Sequence, residues 1–334
     1  MTLMKCYYQE IKHLEQKMTF KEVEDHISKL KAQLYSAMFD SSKTISVEEI
    51  LKVLNLVKKL LLDHFNGLYM EDLETFIDKI RIFKTHFATL DIRQNHAEHE
   101  KTITQIFKNE NQINTSLNEL SKQDLISILV HENFTVHPDQ FEEDIIKDTI
   151  QTIVQIRSIQ EKNGEDGCNR YVISNSEDIF SVLYVFALLR WCGWKEDRIP
   201  VDIVPLFESI DGMAHAESIM QTLFSIPEYR SHLRYRGNTQ TIMLGFSDGT
   251  KDGGYLQANW SIFKTKEVLS AVCDQHKIKA VFFDGRGGPP ARGGWKDASI
   301  LCLPKPGDCQ SCHPADHPGP DNYQPVRYPI AFYP

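Results

Sequence analysis

The chain has 334 residues, 41% apolar, 10% aromatic and 25% charged, with a formal net charge of −9. This is enough apolar material for one large or two ordinary domains, and the acidic balance without a long basic tract excludes nucleic acid and anionic membrane as main partners. The opening MTLMKCYYQEIKHLEQKM lacks the apolar core of a signal peptide, and the longest apolar run, VLYVFALL at 182–189, is too short to span a bilayer, so a cytoplasmic protein is expected.

From Met1 to about Gln160 the pattern is helical. Ser46 and Glu49 have capping-box spacing, and Ile50, Val53/Leu54, Val57 and Leu60/Leu61 mark one apolar face behind them. The polar, glycine-containing joint EKNGEDGCNR at 161–170 ends this region, and short β-like runs then alternate with helices. Tyr171 to Ser174 is the first strand, followed by a helix with Ser176 as its N-cap, Glu177 and Asp178 in its first turn and Gly193 at its end. Val201 to Phe207 precedes a helix near Ala214 to Phe224. Thr241 to Phe246 precedes SDGTKDGG and a helix from about Tyr255 to His276, and Ile278 to Phe283 reads as a buried fourth strand.

The strand ends carry charge. VPLFES supplies Glu208, LGFSDGTKDGG supplies Asp248 and Lys251, and FFDGRGGPPARGG supplies Arg286 and Arg292 among Gly285, Gly287, Gly288, Gly293 and Gly294. Glycine lets backbone crowd a ligand and arginine grips phosphate or carboxylate with a planar fork, so the last stretch reads as an anion-holding loop rather than a linker. Parallel βα units in a barrel point such ends toward one face. Two carboxylates with several cations there suit a hard divalent metal beside a phosphorylated or carboxylated substrate.

Five stretches, LDIRQ (90–94), YVISNSED (171–178), VPLFESID (204–211), LGFSDGTKDGG (244–254) and FFDGRGGPPARGG (282–294), together resemble the phosphoenolpyruvate carboxylase family in order and spacing. The resemblance extends more weakly from the start to Gly294. It implies a mainly α protein with α/β character: a helical region over 1–165, a partial (β/α)8-type barrel over 166–294 and a separate tail over 295–334. It also implies Glu208 and Asp248 as ligands of Mg²⁺ or Mn²⁺, and Arg93 and Arg286 on the phosphate of phosphoenolpyruvate. Arg292 would sit on a glycine loop over bicarbonate, and Lys251 would be a supporting cation. The implied reaction joins phosphoenolpyruvate and bicarbonate into oxaloacetate and phosphate, by a family-like homo-oligomer when full length. The family's catalytic histidine lies in a TAHPTE-like segment upstream of LDIRQ. FTVHPDQ around His137 lies downstream and is not its equivalent, so the expectation is an incomplete, inactive fragment. Two other readings stay open: a non-catalytic assembly fragment, and another phosphoenolpyruvate-using barrel enzyme.

Taken singly, these residues have plainer readings. Glu208 or Asp248 alone would be a helix N-cap or a solvated turn acid, Lys251 a surface lysine and Arg93 an ion-pair partner. HAEHE (96–100) reads as a solvated helix face rather than a metal motif, and Cys168 and Cys273 as inert thiols. Asp284 departs from the histidine common in the family before GRGG; it could orient Arg286 or weaken the field on an anion. Pro289 and Pro290 would stiffen the loop.

After Gly294 the composition shifts to Pro, Cys and His, and CQSCH (309–313) has the form of a c-type haem attachment motif. A reading-frame break explains the shift better. Removing one base from a permitted back-translation of residues 294–302 turns GWKDASILC into GGKTHQFYA, and continuation gives a long segment resembling the carboxylases. Residues 295–334 are therefore expected to be out-of-frame and irregular, without haem.

Overall fold

The computed structural model describes residues 2–40, 43–109, 119–195 and 197–285. Four helices come first: α1 (Thr2–Lys17), α2 (Lys21–Phe39), α3 (Val47–Phe65) and α4 (Met70–Phe83). β1 (Asp91–Asn95), α5 (His96–Asn109), α6 (Lys122–His131) and α7 (Asp144–Asn163) follow. Then come β2 (Arg170–Ser174), α8 (Ile179–Trp191), β3 (Asp202–Phe207), α9 (Ile210–Ser225), α10 (Pro227–Tyr235), β4 (Thr239–Gly245), α11 (Ser247–Gln275) and β5 (Lys279–Gly285). The chain divides into two compact units, Met1–Ile92 with His137–Arg170, and Arg93–Val136 with Tyr171–Pro334.

In the first unit α1 to α4 each bury one stripe. Ile11, Leu30, Leu54, Leu61 and Ile80 are fully enclosed in one apolar cluster. α3 starts as its sequence dictates: Ser46 Oγ accepts from the Glu49 N–H at 3.1 Å and Glu49 Oε2 accepts from the Ser46 N–H at 2.8 Å. Ile50, Leu54, Val57 and Leu61 then face inward at helical spacing.

The second unit is built on the sheet, whose order β1-β2-β3-β4-β5 follows the chain. β4 runs parallel to both neighbours, with Phe207 opposite Leu244 and Gly245 opposite Gly285. Repeated βα units that add each strand beside the last give this order. No strand among the described residues closes the sheet into a ring. α8, which contains the apolar run VLYVFALL, is buried on all sides, as befits a helix without a polar face. No helix of the described residues is long and apolar enough to cross a membrane. At the strands' starting ends Gln240 donates to Ile203 O at 2.9 Å and accepts from Tyr229 Oη–H at 2.8 Å, and Arg236 pairs with Asp202 at 2.6 Å.

Several expectations are corrected. LDIRQ, inside the stretch read as helical, forms β1. α8 is capped by Asp178, whose carboxylate accepts from the Ser181 N–H at 3.1 Å, while Ser176 Oγ turns back to Ile173 O. α11 starts at Ser247 and breaks at Gly254, whose φ of +80° suits glycine, so SDGTKDG is a short helical segment ahead of the long one. β5 is only half-buried, unlike β3. HAEHE is not uniformly solvated: His99 is wholly buried, with Nε2 at 2.9 Å from Tyr171 Oη.

Candidate active site

The strand ends bring sequence-distant charges together. Glu208 directly follows β3. The adjacent Ser209 caps α9, its Oγ accepting from the Gly212 N–H at 2.9 Å, so Glu208 is not the cap and its carboxylate has other partners. Asp248 lies in the first turn of α11, whose N-cap position is Phe246, so it is not a cap either. At the end of β4, Gly245 lies against Glu208: an added Cβ would overlap the Glu208 Cβ and come within 2.9 Å of its Cα. Glycine there is what lets the two strand ends approach.

Glu208 is held from both sides. Its Oε1 accepts from the Asn175 N–H at 2.8 Å, and its Oε2 lies 3.4 Å from Arg93 Nη2 on β1. The Glu208 and Asp248 carboxyls are near enough to act on each other electrostatically. Lys251, one turn along from Asp248, donates to its Oδ1 at 2.7 Å. Burial raises the Glu208 carboxyl above its ordinary range, opposed by the Asn175 N–H and Arg93, and reinforced by the charge of Asp248. Asp248 moves the other way, chiefly through the Lys251 hydrogen bond.

Arg93, Glu208, Asp248 and Lys251 thus form one cluster drawn from three of the motif stretches. Gly285 ends β5 opposite Gly245. Arg286, Gly287, Gly288, Arg292, Gly293 and Gly294 lie outside the described residues, as do Pro289, Pro290, Cys309, Cys312 and His313. Asp284 is paired with Lys266 of α11. Cys168 and Cys273 are buried, and burial raises both thiols, Cys273 to about 11, as inert cysteines require.

Sequence reasoning assigned no role to Asn175. It takes a left-handed conformation, φ +58°, which aims its N–H at Glu208. A usable signal was present, since asparagine directly after the apolar strand YVIS is among the few residues that adopt this conformation readily.

The donor set fits a hard divalent cation. Two adjacent carboxylates supply oxygen ligands of the kind Mg²⁺ and Mn²⁺ prefer, and Mg²⁺ sites commonly use only one or two. No cluster of three or more His, Cys, Asp or Glu placed to hold a metal occurs among the described residues. The fold and site together define an α/β protein with a carboxylate pair and flanking cations at its strand ends.

Comparison with known proteins gives the family. A family model described as phosphoenolpyruvate carboxylase matches residues 2–307, running past Gly294. Similar proteins named phosphoenolpyruvate carboxylase include one from Gloeobacter violaceus, 34% identical over 253 residues, covering 74% of this chain and 27% of that protein. Another, from Nitrosomonas eutropha, is 32% identical over 246 residues, covering 71% of this chain and 26% of its own length. One from Corynebacterium diphtheriae is 32% identical over 272 residues, covering 77% and 30%. The chain belongs to the phosphoenolpyruvate carboxylase family. It spans between 26% and 30% of the length of these three relatives.

Proposed function

We propose that this chain carries the metal-holding and part of the anion-binding machinery of a phosphoenolpyruvate carboxylase, within a partial (β/α)8-type barrel over 166–294, the residues 1–165 forming a helical region. The observation that carries the reading is the convergence of Arg93, Glu208, Asp248 and Lys251 at the sheet's strand ends. Glu208 and Asp248 would hold Mg²⁺ or Mn²⁺. When bound, the cation would supply Lewis-acid stabilisation of enolate charge developing on phosphoenolpyruvate.

The chain's own residues do the remaining work. The Asn175 N–H fixes one Glu208 oxygen, leaving the other toward Asp248 and Arg93. Arg93 and, in this reading, Arg286 bind the phosphate, and their fixed charge favours the transition state in which the phosphoryl group leaves the enolate oxygen for bicarbonate. Lys251 holds Asp248 in its anionic form, ready as a ligand. Arg292, with Gly285, Gly287, Gly288, Gly293 and Gly294, would cover the reacting bicarbonate and exclude water. Residues 295–334 are read as an out-of-frame tail with no part in the site, and the protein as cytoplasmic, the longer family-like form being a homo-oligomer.

The test is Mn²⁺ binding, followed by the loss of the free-ion electron paramagnetic signal. The 334-residue chain should bind one Mn²⁺, and Glu208→Gln or Asp248→Asn should weaken binding by at least about tenfold, as losing one of two anionic ligands implies. Retention of parent affinity in both folded variants would remove the pair from the site.

A further inference from the structure

Gly254 interrupts α11 with φ +80° and ψ 169°, a region of backbone space essentially confined to glycine. Space does not demand glycine there, since an added Cβ would meet nothing within 4 Å. The requirement comes from the backbone alone, and the backbone folds back on itself at this point. In a continuous helix, residues nine apart are separated by about 13.5 Å along the axis. Across Gly254 they meet: a Cβ added at Gly249 would lie 3.6 Å from the Ala258 Cβ, and the Phe246 and Tyr255 rings sit edge to face with centroids 5.7 Å apart. The same fold-back lays the segment 247–253 against the end of β3, where that Gly249 Cβ would be 3.5 Å from Glu208 O. The segment carries both Asp248 and Lys251, joined by their 2.7 Å hydrogen bond. It is an ordered turn, for the Thr250 hydroxyl and N–H both donate to Phe246 O, at 2.7 Å and 3.0 Å.

We propose that Gly254 is a positioning residue for the divalent-cation site: its backbone turns the segment 247–253 back against α11 and so sets the Asp248 carboxyl beside Glu208. The inference rests on the functional reading above, in which these two carboxylates hold the metal. Any residue with a side chain disfavours this φ and favours the helical one, which extends the segment along the α11 axis and carries Asp248 away from Glu208.

The experiment measures Mn²⁺ affinity by paramagnetic resonance on the folded 334-residue chain. Gly254→Ala should raise the Mn²⁺ Kd by about tenfold, as the loss of one of two anionic ligands does. Gly237→Ala is the control, because Gly237 has φ +69° with nothing within 4 Å of an added Cβ and precedes β4, at the strands' starting ends. It should lower stability in denaturant titration as Gly254→Ala does, and leave the Mn²⁺ Kd within about twofold of the parent. In the Asp248→Asn background Gly254→Ala should add less than about twofold, since the ligand it positions is gone. A glycine that only stabilised the fold would show none of this coupling. Should Gly254→Ala fail to fold, Tyr255→Ala decides: Tyr255 is 57% exposed, and its truncation removes the ring contact across the break. The Mn²⁺ Kd of that variant should rise by about two- to fivefold, the worth of one aromatic pair. Parent Mn²⁺ affinity in folded Gly254→Ala, or in Tyr255→Ala where that variant decides, overturns the proposal, as does an equal loss in Gly237→Ala or full additivity with Asp248→Asn. A parent that binds no Mn²⁺ removes the functional reading and this inference with it. A parent that binds Mn²⁺ and weakens on Glu208→Gln and Asp248→Asn, but not on Gly254→Ala, removes this inference alone.

Discussion

The α1–α4 layer and the strand ends of the sheet use charge in opposite ways. On α3, Ile50, Leu54, Val57 and Leu61 are buried in a repeating pattern, while Lys58 pairs outward with Glu74 at 2.6 Å in an exposed bridge worth little. At the strand ends, Glu208 is half-buried beside a second carboxyl and is held by a backbone N–H from a left-handed residue. The first region spends its sequence on burying apolar stripes. The second gathers two carboxyls, an arginine and a lysine at the strand ends, where burial and the neighbouring carboxyl both disfavour the Glu208 charge. Packing is thus encoded periodically and chemistry at single positions beside glycine.

The largest expected effect concerns turnover. The resemblance to the carboxylases puts the general base in a TAHPTE-like segment, which these 334 residues do not contain upstream of Arg93, and lack of a positioned general base alone removes about 10²–10⁴-fold of rate. A purified polypeptide of this length, given phosphoenolpyruvate, bicarbonate and Mg²⁺, should form no measurable oxaloacetate. Metal-dependent oxaloacetate formation would show that the strand-end cluster performs more of the chemistry than its residues allow.

Next comes the packing side. Leu54 is fully buried between the helices, and Leu54→Ala should lower stability by about 2–5 kcal/mol through lost transfer energy and a cavity. Denaturant titration reads the loss, and the Mn²⁺ affinity of the folded fraction should not move. Glu208→Gln should do the reverse, with little loss of stability because it relieves a crowded carboxyl pair. If both variants changed stability and metal affinity alike, the contrast between the regions would collapse.

The contrast also explains what was legible. The α3 capping box and stripe were readable because each rests on local spacing, and four βα units were readable because apolar runs alternate with turn residues. β1 was missed because Asp91, Arg93 and Gln94 surround a single Ile92, so neither periodicity nor composition marks a strand. Ser176 and Asp178 are both good caps, and the sequence does not say which one faces the free N–H groups. His99 was misread because its polarity suggests solvent, whereas Tyr171, 72 positions away, supplies its partner. Glu208, Asp248 and Lys251 were legible from their strand-end positions, Arg93 only through the motif set. The Asp284–Lys266 pair had no local signal at all.

A third effect follows from buried histidines of the sheet unit. His99 and His232 are 0% and 1% exposed, and burial lowers both to about 3, with smaller contributions from His96 and Arg236 respectively. Because the folded value is below the ordinary 6.5, the unfolded chain takes up the proton first. The stability contribution is complete above pH 6.5 and is lost as pH falls toward 3. Each histidine should contribute a slope of roughly 1.4 kcal/mol per pH unit inside that window. Denaturant titrations between neutrality and mild acid should show stability falling, and His232→Phe should remove about one proton from the slope. An unchanged slope in that variant would mean His232 does not stay neutral in the fold.

The smallest effect tests the part of the helical layer that the sequence spelled out most directly. Ser46 and Glu49 satisfy each other's backbone N–H groups at 3.1 Å and 2.8 Å at the exposed start of α3. Ser46→Ala leaves the Glu49 N–H to water and should cost about 1 kcal/mol, well below the cost of Leu54→Ala because water can replace a lost surface hydrogen bond but cannot fill an apolar cavity. Thermal or denaturant unfolding measures it, with Leu54→Ala as the reference. A cap variant as damaging as the core variant would mean that α3 depends on its first turn more than on its buried stripe, reversing the account of why this layer holds together.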